Sequence, residues 1–155
     1  MSDEKFSLAE SWMVNHRVNM MLLDAIDEAH LTVSHNTRAR NIGDQFGHLH
    51  NARLLWLEVS APDTAKTLQK YEKGTATKKL LAEQLEQSAK AMAGLLDRME
   101  KEGKPKGGKR GPNNFFAYII AHEAHHRGQI IIHLKYADIT LPKETGYGIW
   151  EWDKI

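Results

Sequence analysis

Apolar side chains recur at three- and four-residue intervals along four long stretches, and nowhere do short runs of β-branched residues alternate with polar ones. This pattern predicts an all-α protein, a four-helix bundle. The first helix is expected to open near Ser7, where Ser7 and Glu10 make a capping box, and to run to about His30 with Leu8, Trp12, Leu22, Leu23 and Ile26 on its inner side. The second spans Ile42 to Ser60: Phe46, Leu49, Trp56 and Leu57 face inward, Ala52, Leu55 and Val59 broaden the apolar side, and Pro62 stops the pattern. The third runs from about Thr75 to Glu102, repeating Leu80, Leu81, Gln84, Leu85, Ser88, Met92, Leu95, Leu96 and Met99, and ends at Gly103. The fourth follows Pro112, with Asn113 as the expected cap, and extends from about Asn114 to Tyr136 with Phe115, Ile119, Ile130 and Ala137 along one stripe.

At 155 residues and 41% apolar content, the chain (1–155) is expected to be one soluble domain. It opens Met1-Ser2-Asp3-Glu4-Lys5 with no apolar run of the signal-peptide kind, and no window approaches a membrane span, so a cytoplasmic location is expected. Twenty-one basic against twenty acidic side chains supply no broad field for nucleic acid or an anionic membrane, which leaves a small molecule or another protein as the expected partner. Lys101 to Pro112 concentrates glycine, proline and positive charge but has neither interleaved aromatics nor a P-loop pattern, and reads as a solvated linker. The aromatic C-terminal stretch from Gly146 to Trp152 is expected to pack back over the bundle or across a dimer contact.

The absence of cysteine excludes disulfides, cysteine-ligated metal and any cysteine nucleophile, so a bound metal must be held by nitrogen and oxygen. Nine histidines then become the informative residues. The densest cluster is His122-Glu123-Ala124-His125-His126-Arg127-Gly128-Gln129 in the fourth helix. His122 and His126, four apart, share a face and lie one turn from each other, a spacing at which two imidazoles chelate one ion. On a helical wheel His122, His126, Gln129 and His133 all fall within about 40° of Phe115, so the histidines are expected to point into the bundle. Buried and unpartnered they would be destabilising by several kcal/mol, a penalty that metal ligation offsets. His133 sits roughly 10 Å along the axis from His126 and cannot share its ion, so a third ligand must come from another helix. The second helix offers His48 and His50, and periodicity does not choose between them. Asn15 and Asn19, central in the first helix's stripe, are either pocket residues or buried packing asparagines.

The bland readings are a hydrogen-bonded core histidine for His133 and solvated or interhelical polar roles for Glu123, His125 and Arg127. His122, Glu123 and His126 also match the H-E-x-x-H pattern in which two histidines bind zinc and the glutamate is the base of a peptidase. Against that, Glu123 projects about 100° from His122 and Gly128 follows where such helices continue.

Gly47-His48-Leu49, with Trp56-Leu57 eight residues beyond the histidine, and the His122 to Gln129 segment ending His126-Arg127-Gly128-Gln129 resemble the DinB-like (DinB/YfiT) metal-binding four-helix bundles over nearly the whole chain. The resemblance implies a divalent ion on His48, His122 and His126, and it selects His48 over His50. It also implies a homodimer and a damage-inducible family in which some members are metal-dependent isomerases or S-transferases using a low-molecular-weight thiol. The implied activity is activation of water or such a thiol against a small-molecule substrate. Zinc, nickel and iron all suit imidazole ligands. Gln129, one turn beyond His126, is the first candidate to orient an imidazole. The alternative is a non-catalytic stress or binding protein stabilised by its ion, in which case a fourth side chain such as His50 should close the site.

Overall fold

The computed structural model describes residues 6–105 and 107–155; residues 1–5, read above as carrying no signal, and residue 106 of the basic linker lie outside the described residues. Six α-helices and two short 3-10 turns are present, and no strand occurs among the described residues. The four long helices are α1 (Leu8–Asp24), α2 (Ile42–Ser60), α4 (Lys78–Glu102) and α5 (Pro112–Tyr136), with α3 (Pro62–Ala65) and α6 (Lys143–Gly148) as short additions. The chain is therefore the expected all-α bundle.

Local chemistry accounts for most of the boundaries. The capping box at the start of α1 is complete, with Glu10 N–H donating to Ser7 Oγ at 3.1 Å and Ser7 N–H to Glu10 Oε2 at 2.7 Å. α1 stops at Asp24 rather than at His30, because Lys78 Nζ takes the Asp24 carbonyl at 2.7 Å and the chain turns to bury Ile26 and Leu31. α4 starts at Lys78 rather than Thr75, since Thr77 Oγ1 accepts from Leu80 N–H and makes the better cap. The expected Asn113 cap does not form: Gly111 is the N-cap and Pro112, with no N–H to satisfy, occupies the first helical position. Pro62 ends α2 but also opens α3 in the same way.

Side-chain pairings give the topology. Leu8 N–H meets Glu100, Trp12 Nε1 meets the Ala89 carbonyl and Lys78 meets Asp24, so α1 and α4 run antiparallel. Gln45 meets Gln129 while Arg53 meets Glu123, so α2 and α5 are antiparallel as well. Phe46 and Leu49 cluster with Leu81 and Leu85, whereas Leu57 clusters with Met92 and Leu95, which makes α2 and α4 parallel. Parallel neighbours need a connection that returns along the bundle. Residues 61–77 supply it, pinned to α2 by Asn51, whose side chain both accepts from Tyr71 N–H and donates to the Tyr71 carbonyl, and by Asp44, which accepts from Tyr71 Oη–H and Gly74 N–H.

Two apolar cores fill the ends of the bundle. One gathers Leu22, Phe46, Leu49, Leu81, Leu85 and Ile130, and the other Trp12, Leu57, Met92, Leu96, Phe115 and Ile119. Between them lies a belt of buried polar side chains, Asn15, Asn19, Arg53, Ser88 and Glu123. The C-terminal residues pack back over the bundle: Ile149 is buried and Arg17 donates to the Ile155 carbonyl at 3.2 Å, although Trp150 is exposed. Leu55 and Val59, expected to widen the inner face of α2, are exposed, and Ala137 lies beyond the end of α5 on the surface. No described helix is long and apolar enough to cross a membrane.

Candidate metal centre

His48 on α2 and His122 and His126 on α5 meet where these helices cross, and each offers one ring nitrogen within 4.8 Å of the other two. Ring centroids stand 5.4 Å apart for His48 and His122, 4.4 Å for His48 and His126, and 4.6 Å for His122 and His126. His50, the competing candidate, points elsewhere: its Nε2 donates to the Gln69 carbonyl at 2.7 Å and anchors the crossover. The local sequence around His48 follows from close packing. A Cβ at Gly47 would run into the Tyr71 ring, so glycine is what lets the crossover seat against this turn of α2. Trp56, two turns on, stands edge-on to His122 at 5.1 Å and walls the site toward the Phe115 end.

The cluster occupies the α2–α5 seam rather than the centre of the bundle. His126 is buried, while His48 and His122 are only half-buried. The inward centre of α5 is set by Ile119, Glu123 and Ile130, about 60° round from Phe115, so the histidine stripe lies at its edge, which corrects the expectation that it points into the core.

The surroundings keep the three rings unprotonated. Burial, reinforced by Arg40 and His122, depresses His48 to about 4. Burial, reinforced by His48 and His122, depresses His126 to about 4, and burial lowers His122 as well. All three rings are therefore neutral at pH 7 and offer lone pairs. His126 Nδ1 lies 2.9 Å from Oε1 of both Gln45 and Gln129, and an amide oxygen only accepts, so Nδ1 carries the proton and Nε2 is left as the donor atom. Gln45 Nε2 in turn donates to Gln129 Oε1 at 2.9 Å, tying α2 to α5 beside the site. His122 Nδ1 is buried with no hydrogen-bond partner, so no protein group competes with a ligand for that ring nitrogen. The residues present thus suit a divalent ion bound by three imidazoles.

Glu123, the would-be base of the zincin pattern, plays a different part. It is fully buried, and Arg53 Nε and Nη2 clamp its two oxygens at 2.6 and 3.0 Å. Asn15 and Asn19 donate to its Oε2 at 2.7 and 2.6 Å, and their own oxygens accept from Arg127 Nη1 at 2.7 and 2.9 Å. Burial works against this carboxylate's charge, but the Arg53 guanidinium and the two amides hold it below the usual carboxylate range. Asn15 and Asn19 are therefore buried asparagines in a satisfied network, and of the two roles expected for Glu123 it takes the interhelical one rather than the solvated one. His133 is hydrogen-bonded as expected, its Nδ1 accepting from His35 N–H at 2.8 Å.

Sequence reasoning missed Arg53, Gln45 and Arg40. Arg53 carried a signal, since it stands four residues from both Leu49 and Leu57 within an apolar stripe, where a charge requires a partner. Gln45 carried none, because its role depends on how α2 meets α5.

A helical bundle in which α2 and α4 run parallel through a returning connection thus carries, at its α2–α5 seam, a trio of histidines that could hold one metal ion. The family model for the DinB family matches residues 1–145, and the chain belongs to that family. Among solved structures it is similar to a DinB-like protein from Bacillus cereus ATCC 10987, with a TM-score of 0.65 at 19% identity over 87% of this chain and 93% of that one. That likeness extends to the fold. No curated protein matches the chain.

Proposed function

We propose that this chain is a divalent-metal-dependent enzyme of the DinB family that uses His48, His122 and His126 to activate water or a low-molecular-weight thiol against a small-molecule substrate, in an S-transferase or isomerase type of reaction. The observation that carries this reading is the trio itself: three neutral imidazoles converge at a half-open seam, and no fourth His, Asp or Glu joins them among the described residues. A structural site is closed by a fourth protein ligand, whereas a reactive one keeps a position for solvent or substrate. A bound zinc, nickel or iron ion would lower the pKa of water or a thiol there and supply a nucleophile at neutral pH.

The chain's own residues do the rest. Gln45 and Gln129 hold the His126 tautomer, Trp56 keeps one side of the site apolar, and Glu123 with Arg53 fixes α5 against α2 so that the three rings keep their spacing. A homodimer fits the exposed Leu55, Val59 and Tyr118 on the α2 and α5 surfaces.

The test is elemental analysis of tag-free protein beside a His122→Ala, His126→Ala double variant, followed by screening of thiols with electrophiles. About one equivalent of metal per chain, lost in a variant that still folds, with turnover only in the metal-loaded wild type, is the expected result. No metal after incubation with divalent ions would refute the reading.

A further inference from the structure

Beside the histidine trio, on the far side of Gln45 and Gln129, lies a cavity of about 480 Å³ that the proposed metal chemistry leaves unassigned. Its polar wall is formed by Arg38, Arg40, His35, His133, Gln45 and Gln129, with no carboxylate. Neither Arg38 nor Arg40 has an acidic group within 4.0 Å among the described residues, so two guanidinium charges border one concave surface without neutralisation. The segment that presents them is ordered by Asn36, whose Oδ1 accepts from the N–H groups of Arg38 and Ala39 at 2.9 and 3.0 Å. His133, buried in the floor, accepts the His35 N–H at Nδ1, which places the proton of its neutral ring on Nε2 and makes that atom a donor. Cations and donors converging on a concave surface bind oxyanions, and guanidinium does so with bidentate geometry.

The cavity and the candidate metal centre share a wall, the Gln45 and Gln129 side chains. Gln45 and Gln129 face the cavity and also accept from His126 Nδ1, so the cavity and the trio are joined through the same two amides. We propose that this cavity is the anion-recognition half of the active site, holding the carboxylate or phosphate of a small acidic substrate on Arg38 and Arg40 while the substrate's reacting end faces the histidines. The inference rests on the metal-site reading for the identity of the reaction, and on the cavity alone for the binding of an anion.

The experiment is calorimetric titration of metal-loaded protein with inorganic phosphate and, separately, with succinate, at ionic strength held constant with chloride. The variants are Arg38→Gln with Arg40→Gln, Arg40→Lys, and His48→Ala. Saturable binding that weakens at least tenfold in the double glutamine variant, is partly restored by Arg40→Lys, and leaves metal content and Tm unchanged is the expected result. Preference for succinate over phosphate, or the reverse, assigns the head group. Equal binding by wild type and the double glutamine variant overturns the proposal, as does binding that chloride abolishes or that disappears with metal removal and not with the arginines. Failure of the metal reading is distinct: it appears as wild-type protein without metal that still binds the anion through Arg38 and Arg40.

Discussion

His122 and Glu123 are neighbours on α5, yet they serve two regions built on opposite principles. Glu123 turns inward to a closed network, where Arg53, Asn15 and Asn19 satisfy its oxygens and Arg127 completes the amides. His122 turns about 100° away to an open seam, where its Nδ1 is buried with no hydrogen-bond partner. Both are polar groups held between helices, and only one is satisfied by the protein alone. The difference separates a polar layer that specifies helix register from one prepared for something the chain does not supply.

The comparison is broken most strongly at Glu123. Glu123→Gln leaves the Arg53 guanidinium buried without its counter-charge and is expected to destabilise the fold by about 3–5 kcal/mol, measured by urea unfolding. Glu123→Leu combined with Arg53→Met should recover part of that loss, because an apolar pair requires no compensating charge. The metal equivalents bound by whatever fraction of Glu123→Gln remains folded should match wild type. If stability were unchanged while metal was lost, Glu123 would belong to the open region and the division drawn here would fail.

The converse experiment acts on the seam. His48→Ala or His122→Ala is expected to abolish stoichiometric metal while changing metal-free stability by less than about 1 kcal/mol, since both rings are half-buried and lack partners there. Elemental analysis and thermal melting of the same samples check both halves of the statement. A collapse of the metal-free variant would make the trio a structural element like the inner network.

Acid titration separates the regions by sign. His48 and His126 are depressed to about 4 from an ordinary 6.5, so below pH 6.5 the unfolded chain takes up protons that the folded seam refuses. Metal-free stability should therefore be full above pH 6.5 and fall as pH drops toward 4. A His48→Ala, His126→Ala variant should show a shallower fall over that window, read from melting temperatures across pH. Equal slopes would assign the dependence to the other histidines that burial depresses, His16, His50, His122 and His133.

How far each region was legible in the sequence follows from where its information lies. The helices, the capping box and the face shared by His122 and His126 are local, and periodicity finds them. Resemblance rather than spacing separated His48 from His50; the structure supplies the physical reason, in Tyr71 seated on Gly47 and Gln69 occupying His50. The pairings of the inner network were not legible, because Glu123 and Arg53 are distant in sequence and meet only when the helices dock, although an interhelical polar role for Glu123 and Arg127 was among the readings open. Asn15 and Asn19 on one stripe and Arg53 on another were nevertheless visible as polar residues within apolar faces, and buried polar groups on different helices seek one another. The seam position of the histidines could not be read from a wheel centred on Phe115, because the inward direction of α5 is set by contacts with α1 and α2.

The smallest expected effect sharpens the boundary between the two regions, at the glutamines that border the trio. Gln45 and Gln129 both accept from His126 Nδ1, and Gln45 also donates to Gln129, so either alone can hold the imidazole tautomer. Gln129→Leu should weaken metal affinity by no more than about tenfold, and Gln45→Leu by a similar amount, the lower end of what groups orienting a metal ligand contribute. Removing both should exceed the product of the single effects, since only then is Nδ1 left without an acceptor and free to exchange its proton with Nε2. Competition titration with a chromogenic chelator across the four proteins measures that coupling. Strict additivity would mean that each glutamine acts on packing alone, and that the orientation of His126 is set by the fit of α2 against α5 rather than by the hydrogen bonds at its Nδ1.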